Sequence, residues 1–307
     1  MAGHLMAGPV VLAGGTGGAK LARGMLDVAG ADLTVIANTA DDIEIYGAHV
    51  SPDPDLVTFW LADRIDERGW GLRDDTFAVM DGLRELGADV WFSLGDRDLA
   101  IGIERARRLA DGARLTDTLA ELGAALGVQA RVLPMSDDRV RTWVRRREHW
   151  TAFQEFMIRD GGAGPVQNIQ LRGIGEARAT PETLAAIADA SAIIIGPSNP
   201  VISIGPILQV ADMRQALLDS PAPIVAVSPI VGGAVLKGPT EAFMRWAGHG
   251  ASAAGIADCY AGLIDGLVAD EPVDGLPVLR TDTLMTDAAS RHRLAAETLT
   301  FAQGLEA

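Results

Sequence analysis

Cysteine is nearly absent: Cys259 is the one thiol in 307 residues, so no internal disulfide forms and no Cys-x-x-Cys pair is available to zinc. That pattern fits a reducing cytoplasm. Long apolar runs are missing too, since no window approaches the roughly 18 uncharged apolar residues that span a bilayer. Residues 1–9 hold no Lys or Arg, and the apolar run Val10–Ala13 is too short for a signal sequence, so residues 1–9 read as a flexible leader on a cytoplasmic protein. Positive charge is scarce, with 26 Lys+Arg against 41 Asp+Glu and a net charge of −15. This excludes non-specific binding to nucleic acid or to an anionic membrane. His4, His49, His149, His249 and His292 are scattered without metal-ligand spacing, and no H-E-x-x-H or Ser-His-Asp motif is present.

What is present is an ordinary globular composition, 48% hydrophobic and 22% charged, in a chain long enough to bury about three quarters of its unfolded surface. Short apolar runs end in Gly, Asn, Asp, Ser or Pro and are followed by helix-like segments. This is the βαβ rhythm of a parallel sheet in an α/β protein. Strands are expected at Pro9–Ala13, Leu33–Ala37, Val90–Leu94, Val128–Leu133, Val166–Leu171, Ala192–Ile195 and Ile224–Val227, with Gly14–Gly18 as a turn and Ala19–Val28 as a helix. Thr180-Pro181-Glu182 reads as an N-cap followed by Pro at the first helical position. Leu56–Ile65, Asp75–Leu86, Leu99–Ala110 and Thr116–Leu126 have helical spacing and form a helix-rich insertion around residues 55–127 within a single domain, 10–307.

In an open parallel sheet ligands bind beyond the carboxyl ends of the strands. Five loops there carry chemistry. Gly14-Gly15-Thr16-Gly17-Gly18 lets backbone amides approach an anion at a helix N-terminus, or is simply a tight turn. It matches neither common nucleotide fingerprint: a G-x-G-x-x-G from Gly15 meets Lys20 where Gly is needed, and a Walker A from Gly14 lacks its Gly and its Ser/Thr around Lys20. Asp41-Asp42 and Asp53/Asp55 are carboxylates from two loops able to share a hard cation, although Asp55 taken by itself reads first as a cap for a helix from Leu56. Arg97, within Gly95-Asp96-Arg97-Asp98, suits a phosphate or carboxylate, or a local ion pair with Asp96 or Asp98. Ser198-Asn199-Pro200 with Ser203-Ile204-Gly205-Pro206 forms a Pro/Gly-punctuated loop able to wrap a nucleobase, or a rigid connector. The run Arg139, Arg141, Arg145, Arg146 and Arg147 reads as a solvated surface segment or an oligomer contact ahead of an anion-binding face, and the tryptophans as core or interface residues, with Trp150, Phe153 and Phe156 also able to line a flat-ring pocket.

Taken in order, Gly14–Gly18, Asn38-Thr39-Ala40-Asp41-Asp42, Ser51-Pro52-Asp53-Pro54-Asp55, Leu94-Gly95-Asp96-Arg97-Asp98, Leu133-Pro134-Met135-Ser136-Asp137-Asp138, Gly196-Pro197-Ser198-Asn199-Pro200, Ser203–Ile207 and Asp282-Thr283-Leu284-Met285-Thr286 resemble the 2-phospho-L-lactate transferase family, which includes phosphoenolpyruvate transferases. The resemblance runs from about Val10 to near the C-terminus. It implies a Rossmann-like core with helices on both faces, magnesium (Mg2+) dependence and a homodimer. Members transfer a phospholactyl or phosphoenolpyruvyl group from a guanosine diphosphate-linked donor to the terminal ribityl hydroxyl of the deazariboflavin FO, releasing GMP, in coenzyme F-420 biosynthesis. By position, the resemblance makes Asp41 and Asp55 magnesium ligands, with Asp55 and Arg97 the catalytic and FO-side residues. Gly14, Gly15, Thr16, Gly17, Gly18 and Asn38 would hold the donor phosphates, and Ser198, Asn199, Pro200, Ser203 and Gly205 the guanosine. Lys20 need not be functional. The competing readings are a nicotinamide-dependent oxidoreductase, disfavoured by the broken glycine motif and by Asn38, and a non-catalytic guanine-nucleotide-binding regulatory protein. The acid carried by the donor is not written in these motifs.

Overall fold

Val10-Val11-Leu12-Ala13 forms strand β1 (Val10–Ala13) with all four side chains buried. Successive side chains of a strand point to opposite faces, so a wholly buried strand means a sheet covered on both sides. Val10 and Leu12 enter one apolar layer with Ile36, Ile193 and Ile195, and Val11 and Ala13 enter the other with Val35, Ile194 and Val225. The structure, a computed structural model, describes residues 8–236 and 238–305. The expected leader lies outside the described residues except for Gly8 and Pro9, whose carbonyls accept the Ser191 and Thr34 amides at 3.4 and 3.1 Å.

Helix α1 (Gly15–Ala29) follows β1 and stops at Gly30, where φ is 62°. Next come β2 (Thr34–Ala37), the hairpin β3 (Ile43–Ile45) and β4 (Ala48–Val50), and helices α2 (Pro52–Leu61), α3 (Ala78–Glu85), α4 (Asp96–Ala110) and α5 (Leu115–Ala125). Beyond them lie β5 (Arg131–Pro134), β6 (Arg141–Arg146), β7 (His149–Ala152), α6 (Phe153–Ile158), β8 (Asn168–Arg172), α7 (Pro181–Ala188) and β9 (Ile193–Ile195). The last third holds α8 (Ile204–Gln209), α9 (Met213–Asp219), β10 (Ile224–Val227), β11 (Ile230–Val231), β12 (Ala234–Val235), α10 (Thr240–Trp246), α11 (Ala253–Cys259), β13 (Gly266–Ala269), β14 (Val278–Arg280) and α12 (Ala288–Leu305).

Seven strands pair in the order β14-β13-β10-β9-β1-β2-β5, every pairing parallel. Leu12 sits in register with Ile36 on one side and Ile195 on the other. The chain steps outward from β1 through β2 to β5, then restarts at β9 on the opposite side of β1. The direction of winding therefore reverses between β1 and β9, and it is outside the carboxyl ends of two such strands that an open parallel sheet forms its ligand crevice. The expected α/β parallel sheet with helices on both faces is the observed one.

Three sequence expectations are corrected. Val90–Leu94 is not a strand: Leu94 instead packs with Ala48, Val50, Met80 and Leu99 under the β3–β4 hairpin, where no parallel edge is available to it. Val166–Leu171 contributes β8, but to a separate antiparallel sheet with β6 and β7. In that sheet Arg141 and Arg145 alternate with buried Thr142 and Val144, as a one-sided strand requires. Gly14–Gly18 is not a turn ahead of a helix, because α1 already begins at Gly15. The N-cap at Thr180 is as read: its side chain accepts the Thr183 amide at 3.1 Å.

Candidate active site

The glycines after β1 are required by close approach. A β-carbon on Gly17 would lie 2.0 Å from the Pro197 carbonyl oxygen, and one on Gly18 would lie 2.6 Å from Ser198 Oγ and 3.0 Å from Ala13 Cα. The loops leaving β1 and β9 thus touch, and the Gly14 amide donates to Ser198 Oγ at 3.3 Å. Beyond this seam opens a cavity of about 670 Å³.

Its polar lining comprises Gly14, Gly15, Thr16, Gly17, Lys20, Asp41 and Asp53 with Ser198, Asn199 and Ser203. Phe153, Met157, Ile202, Val231, Val235 and Leu236 form an apolar flank. Of the expected nucleobase residues, Pro200 and Gly205 do not line it. Gly205 instead lets α8 close against the Pro200 carbonyl, 3.1 Å from where a β-carbon would be. Asn199 spends its Oδ1 on the Val201 and Ile202 amides, at 2.9 and 3.2 Å, shaping the loop from within.

Asn38 closes β2 fully buried, donating from Nδ2 to Asp53 Oδ2 at 2.9 Å and accepting the Ala40 amide on Oδ1 at 2.9 Å. Both ends of its amide are committed, so it offers nothing to a nicotinamide ribose. The Gly15 amide donates to Asp53 Oδ1 at 2.7 Å. Asp41 is buried nearby, its Oδ1 without a hydrogen-bond partner and its backbone carbonyl accepting Gln154 Nε2 at 3.2 Å. Burial, and then the charge of Asp53, push the Asp41 carboxyl well above the usual carboxylate range. Burial pushes Asp53 up to about 6, against the hydrogen bonds from Asn38 and Gly15 that favour its charge.

Asp55 is not the cap of a helix beginning at Leu56. It lies within the first turn of α2, buried, with Arg105 Nη1 donating to Oδ2 at 3.0 Å and Arg105 Nη2 to Oδ1, and it does not line the cavity. Arg97 is exposed at the start of α4, outside the cavity wall, with its amide donating to Asp75 Oδ1 at 2.9 Å. The local ion pair considered for it is not formed, because Asp96 instead accepts from Thr76 Oγ1 and the Ala78 and Val79 amides. Of the aromatic trio, Phe153 lines the cavity, while Phe156 packs behind it edge-on against Phe243. Sequence reasoning passed over Lys20, which lines the cavity and donates to the Met285 carbonyl at 3.0 Å, and Met285 itself, although it lies in a quoted motif.

Among the described residues no group of three or more His, Cys, Asp or Glu is arranged to hold a metal ion. Two carboxylates nevertheless fit a hard cation. Asp41 and Asp53 are both buried and line the same cavity, the charge of Asp53 opposes ionisation of Asp41, and Asp41 Oδ1 is left unpaired. Magnesium typically takes one or two carboxylates and completes its shell with phosphate oxygens and water. No helix among the described residues is long and apolar enough to cross a membrane.

The fold has solved counterparts: a member of the upf0052 family from Bacillus halodurans superposes with a TM-score of 0.62 at 16% identity, covering 96% of this chain and 99% of that one. Closer in sequence is a 2-phospho-L-lactate transferase of Methanosarcina mazei, 39% identical over 297 residues, 93% of this chain and 97% of the relative. One of Methanopyrus kandleri is 39% identical over 96% of this chain and 97% of its own. A phosphoenolpyruvate transferase of Streptomyces coelicolor is 38% identical over 96% and 98%. The profile of the family described as "2-phospho-L-lactate transferase CofD" matches residues 10–292, and this chain belongs to that family.

Proposed function

We propose that this transferase moves a phospholactyl or phosphoenolpyruvyl group from a guanosine diphosphate-linked donor to the terminal ribityl hydroxyl of FO, releasing GMP, as a step of coenzyme F-420 biosynthesis. The observation that carries the reading is the mixed lining of the cavity at the β1/β9 crevice, which joins the glycine-rich start of α1 and two buried carboxylates to a set of apolar side chains.

The polar lining suits a diphosphate. With the Gly14 and Gly15 amides committed to Ser198 and Asp53, the Thr16 and Gly17 amides in the first turn of α1 offer donors to phosphate oxygens, and Ser198 lines the same space. Asp41 and Asp53 would hold Mg2+, which when bound neutralises charge on the donor phosphates. Asn38 and the Gly15 amide fix the Asp53 carboxylate in place. Phe153, Met157, Val235 and Leu236 keep water from the reacting end and present a surface for a flat ring. The FO hydroxyl oxygen bonds to the donor's distal phosphorus in line with the departing oxygen, the bond from that phosphorus to GMP breaks, and the hydroxyl proton passes to solvent. Such chemistry depends chiefly on positioning and charge neutralisation. Arg97, exposed at the start of α4 and outside the cavity wall, has no role in this scheme.

The test is mass spectrometry of purified protein incubated with FO, Mg2+ and each guanylylated acid in turn. A product heavier than FO by one phosphoacid, with matching GMP release, is expected and names the donor. FO binding without product from any donor would overturn the reading. The homodimer belongs to the same proposal and is read by light scattering.

A further inference from the structure

Two pairs of neighbouring carboxylates divide between the two sides of one wall. Asp41 and Asp53 line the cavity, whereas Asp42 and Asp55 turn away from it. Behind the wall a closed ring of polar contacts forms. His49 Nε2 lies 2.9 Å from Asp42 Oδ2, and Ser51 Oγ donates to Asp42 Oδ1 at 2.7 Å. The Ser51 amide donates to Asp55 Oδ2 at 3.2 Å, and the Arg105 guanidinium grips both oxygens of Asp55. Arg105 Nη1 also donates to the His49 carbonyl at 2.9 Å, which closes the ring.

Arg105 comes from α4, in the helical insertion, and only 1% of it is exposed. One turn earlier Gly102 lets α4 lie flush on β4: a β-carbon there would sit 3.0 Å from Ala48 Cβ and 3.2 Å from the His49 carbonyl oxygen. Burying a guanidinium is costly unless it is paired and hydrogen-bonded, and a plain apolar contact would hold these elements together as well. The ring therefore has a use beyond cohesion. The first turn of α2 reads Pro52-Asp53-Pro54-Asp55, and two prolines fix φ on either side of Asp53. A turn this stiff transmits the orientation of Asp55 to Asp53 with little play.

We propose that Arg105 is a positioning residue of the site. From outside the cavity it fixes Asp55, and through the ring Asp42, so that Asp53 and Asp41 are aimed together into the wall where a divalent cation and a diphosphate would meet. The proposal rests on the transferase reading for its catalytic consequence, but its effect on cation binding is independent of that reading.

The test uses the full chain and Arg105→Lys, which keeps the charge and loses the two-pronged grip. Titration calorimetry with Mn2+ alone, thermal melting, and kcat and KM with FO and the active donor are compared with wild type. The expected result is a folded variant whose Mn2+ affinity falls about tenfold or more and whose kcat falls 10- to 100-fold, with KM for FO within about twofold. A folded variant with wild-type Mn2+ affinity and kcat overturns the proposal. Should Arg105→Lys not fold, the double variant Asp55→Asn/Arg105→Met, which removes both charges at once, decides. Folded with Mn2+ affinity lost, it supports the positioning role. Folded with affinity and turnover intact, or again unfolded, it assigns the pair to structure alone. If wild-type protein makes no product with any donor, the transferase reading fails while the Mn2+ titration still reads the role of Arg105.

Discussion

The Gly15 amide donates to Asp53 Oδ1 at 2.7 Å, so the first turns of α1 and α2 meet on a single carboxylate whose other oxygen accepts from Asn38 at 2.9 Å. Both partners are donors. In Asp53→Asn the amide NH2 must face one of them, so one hydrogen bond is lost although the side chain keeps its shape. Asp53→Asn is expected to lower transfer by about 10²–10³-fold, the range seen when one fixed charge-stabilising group is removed, while circular dichroism stays that of the wild type. Turnover within tenfold of wild type would remove Asp53 from the site.

The same carboxylate makes stability depend on pH. Folded Asp53 titrates at about 6 instead of 3.8 because burial opposes its charge, and Asp41 shifts in the same direction. Between roughly pH 4 and 6 the folded protein keeps a proton that the unfolded chain has released, so stability falls as pH rises through that window. For Asp53 alone the loss is up to about 3 kcal/mol. In EDTA the melting temperature should be lower at pH 7.5 than at pH 5, Asp53→Asn should flatten the difference, and millimolar Mg2+ should restore the wild type at pH 7.5. A melting temperature that climbs steadily from pH 5 to 7.5 without Mg2+ contradicts this.

Gly17→Ala tests the seam between β1 and β9. The added methyl meets the Pro197 carbonyl at 2.0 Å, and a backbone atom cannot rotate aside. Destabilisation of about 1–3 kcal/mol or more is expected in urea unfolding, together with loss of GDP binding. Gly82→Ala in α3, where the methyl meets nothing within 4 Å, is the control and should stabilise by about 0.5–1 kcal/mol.

Thr180→Ala removes the hydroxyl that accepts the Thr183 amide at the start of α7. A loss of about 1 kcal/mol is expected. Turnover should be unchanged, since neither Thr180 nor any residue of α7 lines the cavity.

That cap was legible because Thr-Pro-Glu states its own geometry within three residues. The strands flanking the crevice were legible for a similar reason: an apolar run closed by Gly, Asn or Pro encodes both the strand and its end. Asp53 and Asp55 were not distinguishable. Read as loop residues ahead of Leu56, both are available to a cation; with α2 beginning at Pro52 they stand about 200° apart around the helix, so one faces the cavity and the other Arg105. The choice turns on four residues of helix boundary. Arg105 gave no signal at all, because the nearby Arg107 and Arg108 pair with Glu104 at the surface and look the same in sequence. Val90–Leu94 misled because burial among helices and burial in a sheet select the same apolar residues.

The hydrogen bond from the Gly14 amide to Ser198 joins positions 184 residues apart. Until β9 has been made, a growing chain presents β1 with one bare edge and its glycine-rich end facing nothing. The cavity is therefore among the last features to exist, assembled by long-range closure that is slow compared with local helix formation. An open apolar strand edge invites pairing with other chains in the meantime. Synthesis that stalls between β5 and β9 should yield aggregates, whereas truncation after β10 leaves that edge protected.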